Sequence, residues 1–365
     1  MSLPYLTAAI PGIGGRLRAE VDDFAVDEIP AYEPTGTGEH VFVWIEKRDL
    51  PTMVAATMLA RAVGCAPRDV GYAGLKDKRA VTRQWLSLPP PTTPEQVRAL
   101  ELPGITILDA RRHGHKLRTG HLRGNRFRLR VRGVAPDAID RATAILGALA
   151  EPPGALNWYG EQRFGRAGDN AARGRAILAG TAGRINPREK RLFISALQSE
   201  LFNQWLVARV NDGLLRRVIP GDWLEKRGSG GSFSTTEPAV DEARVASGEL
   251  VVTGPMYGWK LRQAAPDTQA GEREAAILAA AGLTLADFRP AGDLAFGTRR
   301  ALAIAITDPA CVACAPDALD VSFTLAAGAY ATAVIRELMK NEGNREAADP
   351  AEPATDAPDP DQPGD

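Results

Sequence analysis

The chain has 365 residues, 44% of them apolar, and a formal net charge of −1; this is more than one hydrophobic core usually organises, so two lobes are expected. No apolar run reaches the length of a membrane span, and the opening M-S-L-P-Y-L-T lacks the basic start and apolar stretch of a secretory signal, so a cytoplasmic location with no membrane partner is expected. Three cysteines exclude a disulfide framework, and the lone C-x-x-C of Cys311 and Cys314 reads as two small core residues in preference to half of a metal site.

Charge divides unevenly along the chain. Residues 341–365 hold eight acids against Arg345 alone, a net of −7, which leaves +6 for residues 1–340. The body is basic, and the Pro- and Ala-rich end reads as a disordered acidic tail, too poor in large apolar side chains to bury itself.

In chain order, V-F-V-W-I at 41–45 predicts a strand covered on both faces, and M-V-A-A-T-M-L-A-R-A-V after Pro51 and Thr52 predicts a helix stopped by Gly64. Residues 71–84 read G-Y-A-G-L-K-D-K-R-A-V-T-R-Q. One carboxylate, Asp77, stands there among Lys76, Lys78, Arg79 and Arg83, on a loop leading to a strand at 85–88. Neighbouring cations favour the charged form of a carboxylate, so such a group can serve as nucleophile or base in a setting that also attracts polyanions. Composition alone reads the same tetrapeptide K-D-K-R as a solvated turn.

R-F-R-L-R-V-R at 126–132 alternates strictly. A strand there turns Phe127, Leu129 and Val131 to the core and Arg126, Arg128, Arg130 and Arg132 to the other face. The window 110–136 has no acid and three of the four histidines, His113, His115 and His121. Four like charges on one strand repel unless something anionic lies over them, so RNA phosphate is the expected partner; pairing with acids elsewhere in the chain is the alternative. Residues 137–150 predict an amphipathic helix, 151–170 a turn-rich stretch, and 188–210 a long helix with Phe193, Ala196, Leu197, Leu201, Trp205 and Leu206 on its apolar side. The glycine loop K-R-G-S-G-G-S-F lacks the G-K-[ST] of a phosphate cradle and is assigned no nucleotide, and V-S-F-T-L followed by A-G-A-Y-A-T-A-V-I-R-E-L-M-K predicts a strand and then a helix.

The string at 71–84 resembles the signature of the TruD family of pseudouridine synthases, G-[FYQ]-A-G-x-K-D-[KR]-x-A-V-T-x-Q, built around the family's catalytic aspartate. Five further segments are similar to the family in the same order: G-G-R-L-R-A-E-V-D-D-F near the start, K-L-R-T-G-H-L-R-G-N-R-F at 116–127, N-W-Y-G-E-Q-R-F-G at 157–165, S-A-L-Q-S-E-L-F-N at 195–203, and A-G-A-Y-A-T at 327–332. The resemblance implies an α+β fold. A catalytic domain (1–182 plus 305–340) forms around a mixed, mostly antiparallel sheet with flanking helices, interrupted by a family-specific α/β insertion at 183–304 and followed by the tail at 341–365. It implies isomerisation of uridine to pseudouridine in tRNA, at uridine 13 in bacterial members, with no metal, nucleotide or redox cofactor and with tRNA as partner; a monomer is expected.

By the same resemblance Asp77 is the catalytic residue and Arg18 its ion-pair partner. Phe24, Asn157, Tyr159 and Tyr330 fall on positions around the flipped uridine, and Lys76, Lys78, Arg79, Arg126, Arg128 and Arg130 are assigned to the RNA backbone. Two departures stand out: the family's usual lysine is Arg18, a planar fork where the lysine is a point donor, and its usual phenylalanine is Tyr159, whose hydroxyl could assist proton transfer or simply meet water. Two other readings remain beside this one. A non-catalytic RNA-binding protein or tRNA chaperone would keep the basic cleft, and a glycosidase-like hydrolase would need a second acid with a motif of its own.

Overall fold

The computed structural model describes residues 3–341; the expected acidic tail, apart from Asn341, lies outside the described residues. The first part of the chain forms β1 (Gly14–Leu17), β2 (Phe24–Pro30), β3 (His40–Arg48), α1 (Thr52–Val63), β4 (Gly71–Tyr72), β5 (Val81–Leu88), α2 (Pro94–Arg98), β6 (Ile105–His113), β7 (Leu122–Val134) and α3 (Ala138–Ala150). The middle forms β8 (Ala155–Leu156), α4 (Asn170–Leu178), α5 (Pro187–Asn211), β9 (Trp223–Lys226), β10 (Ser232–Ser234), α6 (Pro238–Ala246), β11 (Leu250–Met256), α7 (Gln269–Ala280) and β12 (Thr298–Ala301). The chain returns through β13 (Ala303–Ile304), β14 (Ile306–Ala315), β15 (Ala318–Ala326) and α8 (Ala331–Met339).

A nine-stranded sheet runs β14-β15-β7-β2-β5-β3-β6, with β1 added to β7 and β4 to β5. Only the pairing of β2 with β5 is parallel, so the mixed, mostly antiparallel sheet is as expected. Strand alternation gives it two unlike faces. On one, Phe24, Val26, Phe127, Leu129 and Val131 form a core with Ala142, Ile145 and Leu149 of α3 and with Val334 and Leu338 of α8. Further along that face, Val41, Val43, Ile45 and Leu86 pack against Ala55, Ala56, Leu59 and Ala60 of α1. That helix ends where Gly64 takes the left-handed conformation at φ +76° and donates to the Ala60 carbonyl, a geometry that suits glycine. Burying a leucine such as Leu59 there contributes about 1.5–3 kcal/mol.

The opposite face carries Ala25, Asp27, Arg83, Glu46 and the β7 arginines, and it is open in its centre. A concavity of about 550 Å³ lies over it, lined by Arg48, Arg83, Arg128, Arg130, Glu46 and Asp320 among others.

The middle of the chain builds a second sheet, β10-β9-β11-β12, and the pair β8-β13 joins residue 156 to residue 303. Phe202, Trp205 and Leu206 of α5 bury against Leu224, Val251, Val252 and Leu302. Gly254 of β11 is required by this packing, since a Cβ would fall inside the Trp205 ring. After the segment read as turns comes α4, a helix the sequence reading left unassigned, with a glycine in its centre. Gly174 lets α4 approach α5 closely, because any side chain there would overlap the Phe193 carbonyl. The K-R-G-S-G-G-S-F loop is the tip of the β9–β10 hairpin, closed by the Lys226 amide donating to the Gly231 carbonyl.

The reading of two core cysteines is corrected. Three residues apart on one strand, they face opposite ways: Cys311 lies against Thr143 of α3, with Sγ 3.3 Å from its Oγ1, whereas Cys314 is exposed near Asp320. Among the described residues no helix is long and apolar enough to cross a membrane.

Candidate active site

Asp77 lies between β4 and β5 on a segment without regular structure, and the elements around it hold that segment from several sides. The Lys76 amide donates to Thr52 Oγ1 (2.9 Å), at the start of α1, and Thr52 Oγ1 donates to Gln84 Oε1 (2.9 Å). Gln84 Nε2 donates to the Gly74 carbonyl (3.1 Å), and the Gly120 amide donates to the Ala73 carbonyl (2.8 Å). Lys47 of β3, fully buried, donates from Nζ to the Asp77 carbonyl at 2.7 Å. Lys76 itself turns inward, its Nζ 2.7 Å from Glu28 Oε2, with both side chains almost wholly buried. Glu28 uses its other oxygen to accept from the Trp85 amide (3.2 Å). Lys47, Thr52, Glu28 and Gln84 all project from the helix-covered side, so the loop is anchored over that face.

The carboxylate of Asp77 points outward, 44% exposed, and accepts from Arg18 Nη2 at 2.8 Å. Arg18 follows β1 directly and adopts φ +60°, a left-handed conformation unusual for a side-chain-bearing residue. That turn breaks the strand's alternation and brings the guanidinium over the Phe24 ring, 4.0 Å from its centroid. Phe24 is buried beneath it, edge-on to Phe127 at 6.3 Å. The expected Arg18–Asp77 pair is therefore present, and Phe24 supports the arginine: the ring's open side is taken by the guanidinium.

Asn157 and Tyr159 follow β8, which packs on α8, and Tyr330 immediately precedes α8. Tyr330 is 45% exposed. Asn157 and Tyr159 are buried instead, joined by Arg300, a residue sequence reading missed. Asn157 Oδ1 accepts from Arg300 Nη2 at 2.5 Å, its Nδ2 donates to the Ala301 carbonyl at 3.0 Å, and the Arg300 guanidinium lies 4.2 Å from the Tyr159 ring centroid. The Tyr159 hydroxyl points to Met256 Sδ (3.6 Å), inside the core. Asn203 exchanges two 3.0 Å hydrogen bonds with the Tyr159 peptide, and Arg163 donates to Ser195 and Ser199, so the motifs at 157–165 and 195–203 form one unit.

Of the residues expected at the RNA backbone, one is hidden and several are paired within the chain. Lys76 is buried in its pair with Glu28. Arg83 pairs with Glu46 (2.9 Å) and Asp27 (3.6 Å), away from Asp77. Arg128 pairs with Asp27 (3.1 Å), Arg130 makes two 2.7 Å bonds to Asp320, and Arg132 holds Asp23. Arg126 shares their face and is exposed, and that face lies across the sheet from the anchors of Asp77. The paired-arginine alternative holds for three of the four, because the partner acids come from β2, β15 and the segment before β2. Arg130 holds the Asp320 carboxyl below its usual range. Burial pushes Asp23 up, but hydrogen bonds from Arg132 and the Glu20 amide leave it lowered overall. Lys78 and Arg79, which follow Asp77, are exposed.

The motif at 116–127 does two jobs. It supplies the start of β7, and its first part straps the Asp77 segment: besides the Gly120 bond to Ala73, the Leu117 amide donates to Ser87 Oγ (2.9 Å) and Lys116 Nζ to the Arg68 carbonyl (2.7 Å). Beside the strap, Tyr32 meets His121 Nδ1 through its hydroxyl (2.7 Å) and stacks on His113, and His113 Nε2 lies 3.2 Å from His115 Nε2. His40 is the strand partner of His113, so all four histidines gather here.

The sequence profile of the family described as tRNA pseudouridine synthase D (TruD) matches residues 1–184 and 179–338. A relative named tRNA pseudouridine synthase D from Anaeromyxobacter dehalogenans is 48% identical over 348 residues, covering 93% of this chain and 97% of the relative. Another of that name from Thermus thermophilus is 42% identical over 339 residues, covering 93% and 92%. A solved structure from Methanosarcina mazei, 23% identical, superimposes with a TM-score of 0.76 over 93% of this chain and 99% of its own, so the fold is shared.

Proposed function

The chain belongs to the TruD family of tRNA pseudouridine synthases, and on that premise we propose that it converts uridine 13 of tRNA to pseudouridine with Asp77 as the catalytic residue. Pseudouridylation of tRNA is the activity the family assigns. The observation that carries the finer reading is Asp77 itself: a half-exposed carboxylate, ion-paired to Arg18, on a loop anchored at Gly74, Lys76 and its own carbonyl.

The isomerisation breaks the bond from ribose C1′ to uracil N1, turns the base, forms the bond from C1′ to C5 and moves the C5 proton off while N1 gains one. The net change is zero, so the chain needs to hold, rotate and recapture the base. Asp77 can attack the sugar or the pyrimidine, or take a proton from the ribose; both routes use the same exposed oxygens. A base inside a tRNA stack is extruded first, and the exposed ring of Tyr330 is the surface on which we place it. On the family resemblance we assign Asn157 and Tyr159, joined by Arg300, to the same site. Lys78 and Arg79, exposed and directly following Asp77 in sequence, meet the backbone phosphates.

We read residues 1–182 with 305–340 as the catalytic domain and 183–304 as the insertion; the first then holds the nine-stranded sheet and the second the four-stranded one.

Incubation with unmodified tRNA and pseudouridine mapping at nucleotide resolution tests the reading. Modification at position 13 is expected. An unmodified position 13 defeats the substrate assignment, and conversion by Asp77→Asn defeats the catalytic one; release of free uracil would identify a hydrolase.

A further inference from the structure

Resting on that reading of Asp77, we propose that Lys47 is a positioning residue for the reaction: its buried ammonium holds the main chain of the catalytic aspartate. Three observations support it. First, the residues around Asp77 lack regular hydrogen bonding, so the direction of its carboxylate depends on what grips the backbone there. Lys47 Nζ is 2.7 Å from the Asp77 carbonyl and 3.5 Å from that of Lys76, bracketing the peptide that carries the catalytic side chain.

Second, Lys47 is fully buried, on a strand face whose other members, Val41, Val43 and Ile45, are apolar and packed on α1. Alternation predicts another apolar residue at this position. Taking an ammonium out of water is costly, and an apolar residue of similar volume at such a place is often at least as stable. A charge kept there needs a reason other than stability, and its contact with the Asp77 peptide supplies one.

Third, the remaining anchors of the loop stop short of Asp77: Gln84 reaches Gly74, Thr52 reaches the Lys76 amide, and Glu28 holds the Lys76 side chain. Lys47 reaches Asp77 itself, from inside, while Arg18 meets its carboxylate from outside. The two cations thus hold the catalytic residue at both ends, and the loss of either leaves it free to turn. A misplacement on the order of 1 Å can cost roughly a hundredfold in rate.

The test compares Lys47→Met and Lys47→Arg with wild type in three measurements on the full chain: thermal melting, affinity for unmodified tRNA, and the single-turnover rate of pseudouridine formation at saturating enzyme. Lys47→Met is expected to melt cooperatively and bind tRNA within about threefold of wild type while its single-turnover rate falls on the order of a hundredfold. Lys47→Arg, still able to donate to the same carbonyl, is expected to recover at least about tenfold of that loss. A Lys47→Met rate within threefold of wild type overturns the proposal, as does a rate loss matched by lost tRNA affinity. If Lys47→Met fails to melt cooperatively, Lys47→Gln takes its place; failure of both variants to fold makes Lys47 a folding residue and overturns it too. Inactive wild-type enzyme would instead defeat the functional reading, so the two failures are distinct.

Discussion

Asp77 and Arg18 are 59 positions apart in sequence and 2.8 Å apart in space, with Phe24 beneath the arginine. A planar guanidinium can stack on the ring and bond the carboxylate together, which an ammonium on a flexible stem does less well. Arg18→Lys is therefore expected to bind tRNA normally but to lose roughly tenfold in single-turnover rate, and an unchanged rate would show that the stacking has no role. Tyr159→Phe is expected to leave the rate within about twofold, because its hydroxyl meets Met256 in the core; a loss beyond tenfold would revive a role in proton transfer. At this scale Asp77 was legible because its neighbours in sequence are distinctive. Lys47, Glu28 and Arg300 were not. Each comes from a strand whose local pattern gives no hint of what lies across the fold from it.

Elements show where alternation and periodicity succeed and where they stop. Helix α1 and the arginine alternation of β7 follow from pattern, since period determines which side chains share a face. Which face is covered by helices, and which acids stand opposite, depends on strands paired from elsewhere, and so Arg128 and Arg130 turned out to be paired across the sheet from Asp77. Arg130→Ala is accordingly expected to change tRNA affinity less than twofold, measured at fixed salt; a drop of tenfold would restore it to the RNA interface. Helix α4 was missed because a glycine in mid-helix lowers propensity, although here that glycine is what allows contact with α5. Gly174→Ala should destabilise the protein by about 1–3 kcal/mol in urea unfolding with unchanged slope, as overpacking does elsewhere.

The whole molecule brings its four histidines beside the strap that holds the Asp77 loop. Burial keeps the His113 ring below the ordinary imidazole range, reinforced by His115 and His40, and burial does the same to His121, reinforced by His115 and Arg118. The folded state then prefers both rings neutral, while the unfolded chain takes up protons as pH falls through about 6.5. The stability they contribute is complete above that pH and is lost as pH falls below it, towards the lowered folded values. The carboxylates of Asp23 and Asp320, held below their usual range, add a separate loss that begins only near pH 4. Melting temperature should thus fall between pH 7 and 5 in the wild type and fall less in His113→Phe; identical pH profiles would remove the histidines from the account.

What the sequence determined by itself was the family, the class of fold and the main helices and strands, and it singled out Asp77 as the candidate catalytic carboxylate, because those rest on local spacing and on motifs read in order. Tertiary structure alone decided which nearby cations turn away from Asp77 and that Lys47 grips its main chain. Charges close in sequence to Asp77, such as Lys76 and Arg83, are drawn away by Glu28, Glu46 and Asp27, whereas Arg18, remote in sequence, reaches its carboxylate and Lys47 its main-chain carbonyl. Electrostatic partnership falls off with distance through space, and distance through space is set by strand order and by the face on which each residue emerges.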